Sequence, residues 1–204
     1  MNPDLTMPTI EPADAGRRRW VVATSVVGGA GLVATAAPFV ASFSPSERAR
    51  GLGAPVEFNV QTMRSNELKT IEWRGKPVFV LRRSPEMLVS LTRHDDLLAD
   101  PLSSRSEQPG YAANPVRSTR PEFLVLVGIC THLGCIPTFR PEPGAPDIGA
   151  AWPGGFYCPC HGSKYDLSGR VFKSMPAPKN LAVPPYAFAT EARIVIGVDD
   201  APKV

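Results

Sequence analysis

The chain has 204 residues, of which 43% are hydrophobic and 20% are charged. This length suits one domain of ordinary size with an anchor or tail, and the composition argues against wholesale disorder because enough apolar side chains are present to form a core. The net charge of +3 is small and its basic residues are spread along the chain, which argues against a nucleic-acid-binding patch.

An uncharged segment runs from Trp20 to Ser46. Its apolar part, residues 20–41, is long enough to cross a bilayer at about 1.5 Å per residue. Small residues that allow another helix to approach closely recur along it: Gly28, Gly29, Gly31 and Ala34. We therefore predict a transmembrane helix over residues 20–41, with Pro38 kinking or ending it.

Three consecutive arginines, Arg17 to Arg19, precede this segment. By the positive-inside rule, residues 1–19 stay in the cytoplasm and the residues after about 42 lie outside. An arginine pair before an apolar run also resembles a twin-arginine export signal. A cleaved signal peptide is the alternative, but the apolar run is longer than that of most signal peptides, so an uncleaved anchor is favoured.

Residues 42–55 are small, polar and interrupted by glycine and proline. This composition predicts a flexible neck or hinge, although an ordinary connector has the same character. Beyond the neck, alternating or continuous apolar runs predict mostly strands. The predicted strands are Val56–Val60, Lys69–Glu72, Val78–Leu81, Phe123–Ile129, Phe156–Tyr157, Val171–Phe172, Tyr186–Thr190 and Arg193–Val198, the last two forming a closing hairpin.

One helix is predicted in this outer domain, over Pro85–Leu98, from the spacing of its apolar residues. It contains His94, which is interpreted as a solvated or paired histidine because Asp95 and Asp96 follow it. Residues 99–121 form a polar, proline-containing loop that is long enough to be an insertion with a role of its own.

All four cysteines and two of the three histidines lie between residues 130 and 161. One group is Cys130-Thr131-His132-Leu133-Gly134-Cys135, and the other is Cys158-Pro159-Cys160-His161-Gly162-Ser163. Each follows a predicted strand and contains a glycine, which is typical of a tight loop at a strand end. Pairing the two loops would bring several metal ligands together.

Three kinds of site compete for these residues. A structural zinc site uses two cysteines and two histidines, but the Cys-x-His and Cys-x2-His spacings are uncommon for zinc. A four-cysteine cluster would leave both histidines idle. A mixed [2Fe–2S] cluster takes one cysteine and one histidine from each loop, with two thiolates on one iron and two imidazoles on the other, and it is favoured.

The mixed cluster also provides a use for the remaining cysteines. If Cys130, His132, Cys158 and His161 are the ligands, Cys135 and Cys160 remain, one on each loop. Loops that meet at a cluster would make these two neighbours, and a disulfide is chemically permitted outside the cytoplasm.

The two groups together resemble the two boxes of Rieske proteins, and more narrowly those of iron–sulfur subunits of bacterial cytochrome bc1 complexes. The resemblance implies an all-β Rieske-type iron–sulfur domain over residues 56–204, with a small cluster-binding subdomain at about 128–180. This domain would be tethered to one N-terminal transmembrane α-helix. The cofactor implied is one [2Fe–2S] cluster.

The resemblance also implies a role for each matching position. Cys130 and Cys158 match the thiolate ligands, His132 and His161 the imidazole ligands, and Cys135 and Cys160 the disulfide. Ser163 and Tyr165 match hydroxyls that hydrogen-bond a cluster sulfide and a ligand thiolate. Residues 174–178 match a proline loop that covers the cluster, through Pro176 and Pro178, although Met175 stands where many members have glycine. Leu133 would be an exposed apolar contact for a docking partner.

The implied activity is that of an electron-transfer subunit of a quinol–cytochrome c oxidoreductase. His161 would accept a hydrogen bond and a proton from ubiquinol, and the electron would pass to cytochrome c1. The implied partners are cytochrome b and cytochrome c1 in a dimeric complex of the bacterial inner membrane, with the outer domain in the periplasm. The alternatives are a Rieske subunit of another membrane or periplasmic oxidoreductase, and a membrane-tethered structural zinc module.

Overall fold

The computed structural model describes residues 14–46, 51 and 53–199, which belong to two compact units that meet in sequence between residues 49 and 50. Residues 1–13 of the predicted cytoplasmic segment lie outside this description. So do residues 47–50 and 52 of the predicted neck, and the neck therefore stays a prediction.

The first unit contains helix α1, Ala15–Ser42. The Asp14 carboxylate caps its N-terminus by accepting the Gly16 N–H at 3.0 Å. Inside the apolar run, the hydroxyls of Thr24 and Thr35 donate to carbonyls one turn back at 2.9 and 2.8 Å, which satisfies both groups without water. The helix is long and apolar enough to cross a membrane.

Two details of α1 differ from the sequence-based expectation. The helix begins at Ala15, so the three arginines lie in its first turns, and it continues past Pro38 to Ser42 instead of ending at the proline. None of its residues is buried within the structure, which suits a segment whose apolar surface is covered by lipid or another chain.

Within residues 53–199, the second unit is built from three antiparallel sheets of three strands each. The strands in chain order are β1 Val56–Asn59, β2 Leu68–Trp73, β3 Lys76–Arg82, β4 Phe123–Val127, β5 Thr138–Arg140, β6 Gly155–Tyr157, β7 Lys164–Tyr165, β8 Tyr186–Thr190 and β9 Arg193–Ile196. The sheets have the orders β1-β9-β8, β2-β3-β4 and β5-β6-β7. The predicted all-β domain is thus confirmed.

The core lies where β3 and β4 meet the third sheet. Residues 78–81 of β3 and 123–126 of β4 are continuously apolar and buried, with Val80 opposite Val125 and Leu81 opposite Leu124. Phe79 of β3 stacks on Phe156 of β6 at 5.7 Å between ring centroids. The third sheet, which follows the first cysteine-containing loop and contains the second between β6 and β7, is therefore attached to the most buried part of the domain.

The predicted helix over Pro85–Leu98 is wrong in its extent. Helix α2 covers only Pro85–Ser90, with the Ser84 hydroxyl accepting the Met87 N–H, and residues Asp95–Leu97 form a separate 3-10 turn. If the helix continued, the Leu91 carbonyl would accept the backbone N–H of residue 95. Instead it accepts a hydrogen bond from the Arg170 guanidinium at 2.9 Å. A distant buried cation therefore ends the helix early.

His94 is paired and buried. Its Nε2 lies 3.4 Å from the Asp166 carboxylate, and its ring stacks on Phe172 at 5.7 Å. Burial alone would raise the pKa of Asp166, but the adjacent His94 ring, the charge of Arg170 and the backbone N–H groups of Arg170 and Ser168 outweigh it and hold that pKa below its ordinary value. Arg170 Nε lies 2.7 Å from the same carboxylate.

The insertion 99–121 packs on the turn at residues 166–170. Arg117, fully buried, donates to the carbonyls of Ser168 and Gly169 at 3.2 and 3.4 Å. Arg83 donates to the Ser168 and Ser118 hydroxyls at 2.9 and 2.8 Å. Burial lowers the pKa of both arginines to about 10, so they remain cationic at neutral pH.

Two strands were not predicted and one was misjudged. β5 and β7 are too short to show a period in sequence, and they form only by pairing with β6 between them. The predicted strand Val171–Phe172 is present only as isolated bridges to Tyr165 and Leu98.

Candidate metal centre

The two loops that follow β4 and β6 share one backbone design. In each, the first residue donates its N–H to the carbonyl of the sixth: Cys130 to Cys135 at 2.7 Å and Cys158 to Ser163 at 2.8 Å. The fifth residue then donates back to the first, Gly134 to Cys130 at 3.0 Å and Gly162 to Cys158 at 2.9 Å. These bonds close each six-residue segment into a tight turn.

The fifth position of each loop requires glycine. Gly134 has a φ of 84° and Gly162 a φ of 74°, conformations that residues with a Cβ adopt only with strain. The predicted reason for glycine in both motifs, a tight loop at a strand end, is therefore what the backbone shows.

The loops bring two free thiols and two imidazoles together. Cys130 and Cys158 are both 2% exposed and are not disulfide-bonded. Burial raises the pKa of the Cys158 thiol. The rings of His132 and His161 lie 4.7 Å apart between centroids and are nearly perpendicular. Each loop contributes one thiol and one imidazole.

Cys135 and Cys160 form a disulfide between the loops, with their Cα atoms 6.7 Å apart. The sulfur atoms of Cys135, Cys158 and Cys160 all lie within 4.8 Å of one another. Because the disulfide removes two of these three as thiolates, this group does not itself make a three-cysteine metal site. It also rules out the four-cysteine alternative while the disulfide is intact.

A hydroxyl group contacts the thiol of the first loop. The Tyr165 hydroxyl of β7 lies 3.1 Å from Cys130 Sγ and accepts the Thr131 N–H at 3.2 Å. Burial, and then the contact with Cys130, raises the pKa of Tyr165, so this hydroxyl keeps its proton at neutral pH. With the Thr131 N–H on its oxygen, the Tyr165 hydroxyl has two acceptors within reach of its proton, the Cys130 sulfur and the Thr131 hydroxyl oxygen, of which a thiolate is the stronger.

The second loop is held by the proline loop, residues 174–178. The Ser163 hydroxyl is fully buried and accepts the Ala177 N–H at 3.1 Å. Its own proton is not used in that bond and remains available for another acceptor. Pro176 and Pro178 are exposed on either side of the buried Ala177. Ser174, where this loop begins, has a φ of 57°.

Sequence reasoning missed one residue that joins these parts. The Thr131 hydroxyl lies 3.2 Å from the Tyr165 hydroxyl and donates to the Lys179 carbonyl at 2.6 Å. It thus ties the first loop to the segment that follows the proline loop. No spacing in the sequence indicates this contact, because residues 131 and 179 are brought together only by the fold.

The tip of the two loops is apolar and open. Leu133 is 73% exposed and Ile136 is 56% exposed, while the His161 ring is exposed and that of His132 only half-buried. The prediction of an exposed Leu133 agrees with this geometry; Ile136 was not singled out from sequence.

The side chains present fit a mixed-ligand [2Fe–2S] cluster. Such a cluster needs two thiolates for one iron and two neutral imidazoles for the other, with hydrogen-bond donors near the sulfurs. Cys130 and Cys158 are buried and unpaired, and the two imidazoles are neighbours at the solvent-facing side. The same four donors would also satisfy zinc, so the donor set alone does not choose between the metals.

Comparison with known proteins makes that choice. Residues 55–186 match the family described as the Rieske [2Fe-2S] domain. The ubiquinol-cytochrome c reductase iron-sulfur subunit of Allochromatium vinosum is 54% identical over 183 residues, covering 90% of this chain and 88% of that protein. The subunit of the same description from Blastochloris viridis is 39% identical over 193 residues, covering 94% and 98%. Among solved structures, a chain of a hyperthermophilic respiratory complex III aligns with a TM-score of 0.46 and 25% identity, over 85% of this chain and 98% of its own length.

Proposed function

Because the chain belongs to the Rieske [2Fe–2S] family, we propose that it is the electron-transfer subunit of a membrane-bound ubiquinol–cytochrome c reductase. The observation that carries this proposal is the pair of matched loops, which present two buried thiols and two adjacent imidazoles beside an exposed apolar tip. The 54% identity to a reductase subunit over 90% of the chain supports the same role.

The chain carries one [2Fe–2S] cluster, as its family implies. We assign the thiolates of Cys130 and Cys158 to one iron and the imidazoles of His132 and His161 to the other. When bound, this group supplies one-electron redox chemistry at a higher potential than an all-thiolate cluster, because neutral imidazoles replace two thiolates.

The surrounding side chains favour the reduced state. Tyr165, protonated at neutral pH, donates a hydrogen bond to the Cys130 thiolate, and Ser163 has a hydroxyl proton to offer at the second loop. Donors of this kind stabilise additional negative charge on sulfur and so raise the potential. The proline loop excludes water from the buried side of Ser163, which strengthens that contact.

His161 is the residue we assign to quinol. Its ring is exposed at the tip beside Leu133, so a ligand can reach the imidazole nitrogen that is not bound to iron. In this position His161 accepts a hydrogen bond from the quinol hydroxyl and then holds its proton while one electron enters the protein. Leu133 and Ile136 provide the apolar contact that such a docked state needs.

The partners follow from the same role. We propose that the exposed tip docks alternately on the quinol-binding subunit, cytochrome b, and on cytochrome c1, within a dimeric complex. The chain is membrane-anchored through α1, and we propose that its outer domain lies in the periplasm, since three arginines precede the apolar run. Residues 42–55 would then serve as the neck on which the domain moves.

A redox titration followed by electron paramagnetic resonance (EPR) tests the proposal. Membranes that carry the full chain are titrated, and a rhombic [2Fe–2S] signal is expected near the upper part of the roughly −150 to +300 mV range of mixed-ligand clusters. A midpoint near the bottom of that range would contradict quinol oxidation and favour a ferredoxin-like donor. Zinc in place of iron in the purified protein would overturn the assignment altogether.

Quinol contact is tested separately with Leu133→Ala. This variant leaves all four ligands in place, so the EPR signal should persist while the rate of quinol oxidation falls, because the apolar docking contact is reduced. Unchanged turnover would contradict docking through this tip. Orientation is tested by protease digestion of intact spheroplasts, in which cleavage of the outer domain is expected and full protection would contradict a periplasmic location.

A further inference from the structure

A cavity of about 290 Å³ opens beside the proline loop. Its walls are mainly apolar and come from separate segments: Leu97, Ile148, Trp152, Phe172 and Met175. The volume is at the lower end of the range that is typical of small-molecule sites. The residues assigned to the cluster and to quinol do not line it.

Two aromatic rings form the rigid part of the wall. Trp152 and Phe172 lie 6.1 Å apart between centroids at 46°, and Phe172 stacks on the buried His94 behind it. The Trp152 indole N–H is already used, since it donates to the Arg140 carbonyl at 3.0 Å. The rings are thus held in place, so the cavity does not have to form when a ligand arrives.

Met175 completes the apolar lining on the side of the proline loop. Its thioether is flexible and polarisable, which suits contact with an aromatic ligand. A glycine at this position would have no side chain to contribute, and that part of the wall would be missing. The cavity in its present form is therefore a property of this sequence as well as of the fold.

The charge at the cavity is of one sign. Lys164 and Lys173 line it, and none of the other lining residues carries a carboxylate. Each ammonium makes one hydrogen bond to a backbone carbonyl, Lys164 to Ile148 at 3.0 Å and Lys173 to Asp96 at 2.6 Å. An ammonium has three protons to donate, so both lysines retain donors for a ligand.

A second cavity in the same domain provides a contrast. It has a volume of about 500 Å³ and is lined by two carboxylates, those of Glu86 and Glu142, with no lysine or arginine. It would repel an anion. Aromatic walls and a purely cationic rim occur together at the smaller cavity, and this combination selects a ligand with an apolar ring and a negative group.

We propose that this cavity binds a small aromatic carboxylate, with the ring packed against the wall formed by Trp152, Phe172 and Met175 and the carboxylate on Lys164 and Lys173. The site is distinct from the metal centre, and the proposal stands whether or not the chain oxidises quinol. It is connected to the centre through the proline loop, because Met175 lies in the same loop as Ala177, whose N–H binds Ser163.

Calorimetric titration of the full chain in lipid nanodiscs tests the proposal, with empty nanodiscs as the baseline. The probes are naphthoate and its uncharged counterpart naphthamide. Two variants address the site: Lys173→Gln removes one cation at nearly constant size, and Leu97→Glu places a carboxylate at the half-exposed rim. Lys69→Gln, which removes an exposed lysine on β2, is the matched control. The EPR signal of each variant verifies that the metal centre is intact.

Naphthoate is expected to bind at one saturable site, about tenfold more tightly than naphthamide, because its charge is hydrogen-bonded. Lys173→Gln should weaken binding about tenfold, Leu97→Glu should abolish it, and Lys69→Gln should leave it unchanged. Equal binding of both probes, equal loss in the Lys69→Gln control, or no saturable binding at millimolar concentrations would each overturn the proposal.

Discussion

The two loops at the metal centre have the same backbone but different surroundings. Residues 130–135 and 158–163 are closed by the same two hydrogen bonds, with a left-handed glycine at the fifth position of each. The first loop is supported by side chains, through Thr131 and Tyr165. The second is supported by the proline loop, through the Ser163 hydroxyl.

The shared backbone and the different surroundings affect different properties of the four candidate ligands. The shared backbone places one thiol and one imidazole on each loop. The neighbours instead decide exposure and hydrogen bonding: His161 is exposed, while His132 is half-buried. If both histidines bind the cluster as proposed, they are therefore unequally accessible, because only His161 is fully exposed.

The largest expected effect comes from removing a buried thiol. Cys130→Ala and Cys158→Ala should each abolish the cluster completely, because one iron would keep a single thiolate. Iron content and EPR of the purified protein measure this. Equal loss in both variants supports the equivalence of the loops as ligand carriers. Retention of a normal signal by either variant would show that its cysteine is not a ligand.

Removing the bridge between the loops should have the next largest effect. The double variant Cys135→Ala with Cys160→Ala should lower the free energy of unfolding by about 3 kcal/mol, since the disulfide closes a loop of 25 residues. The midpoint of denaturation in urea, followed by loss of the visible colour of the cluster, measures this. An unchanged midpoint would mean that the loops are held together by the proline loop and Thr131 alone.

Replacing the glycine at the fifth position of each loop tests whether a side chain there strains the two backbones equally. Gly134→Ala and Gly162→Ala should each cost about 1–2 kcal/mol, because the φ angles are positive. Steric crowding adds little, since a Cβ at Gly134 meets no heavy atom within 4 Å and one at Gly162 meets only the Tyr157 hydroxyl at 3.8 Å. The midpoint of denaturation in urea measures this cost. A large difference between the two variants would contradict the claim that the two loops have equivalent backbones.

The smallest effect is expected at the two hydroxyls. Tyr165→Phe and Ser163→Ala should each lower the midpoint potential by tens of millivolts, roughly the effect of one hydrogen bond of about 1 kcal/mol. The double variant should show nearly the sum, because the hydroxyls belong to different loops. Redox titration by EPR measures all three, and an unchanged potential in Tyr165→Phe would contradict donation to Cys130.

Much of the metal centre can be predicted from the sequence, because its features depend on residues that are close together in the chain. The spacing of cysteine, histidine and glycine within six residues is enough to predict two tight loops, and the pairing of Cys135 with Cys160 followed from assigning the other four as ligands. What the sequence does not show depends on distant contacts. The contact of Thr131 with the Lys179 carbonyl and that of Arg117 with Ser168 span 48 and 51 positions.

The same reason explains the error in the predicted helix over Pro85–Leu98. Its apolar spacing is genuine, and Met87 and Leu91 are buried as that spacing requires. The helix nevertheless stops after Ser90, because the Leu91 carbonyl is bound by Arg170 from 79 positions away. The local spacing of apolar residues identifies which of them face the core. The end of a helix can depend on a residue far away in the sequence, here Arg170.

The buried arginines have a consequence for the order of events in folding. Arg83, Arg117 and Arg170 join the turn at 166–170 to segments 51 to 85 positions away, and this turn directly follows Tyr165. Contacts of such long range form late, since the chain must first close large loops. The thiols of Cys130 and Cys158 are therefore expected to stay accessible to solvent until most of the domain has folded.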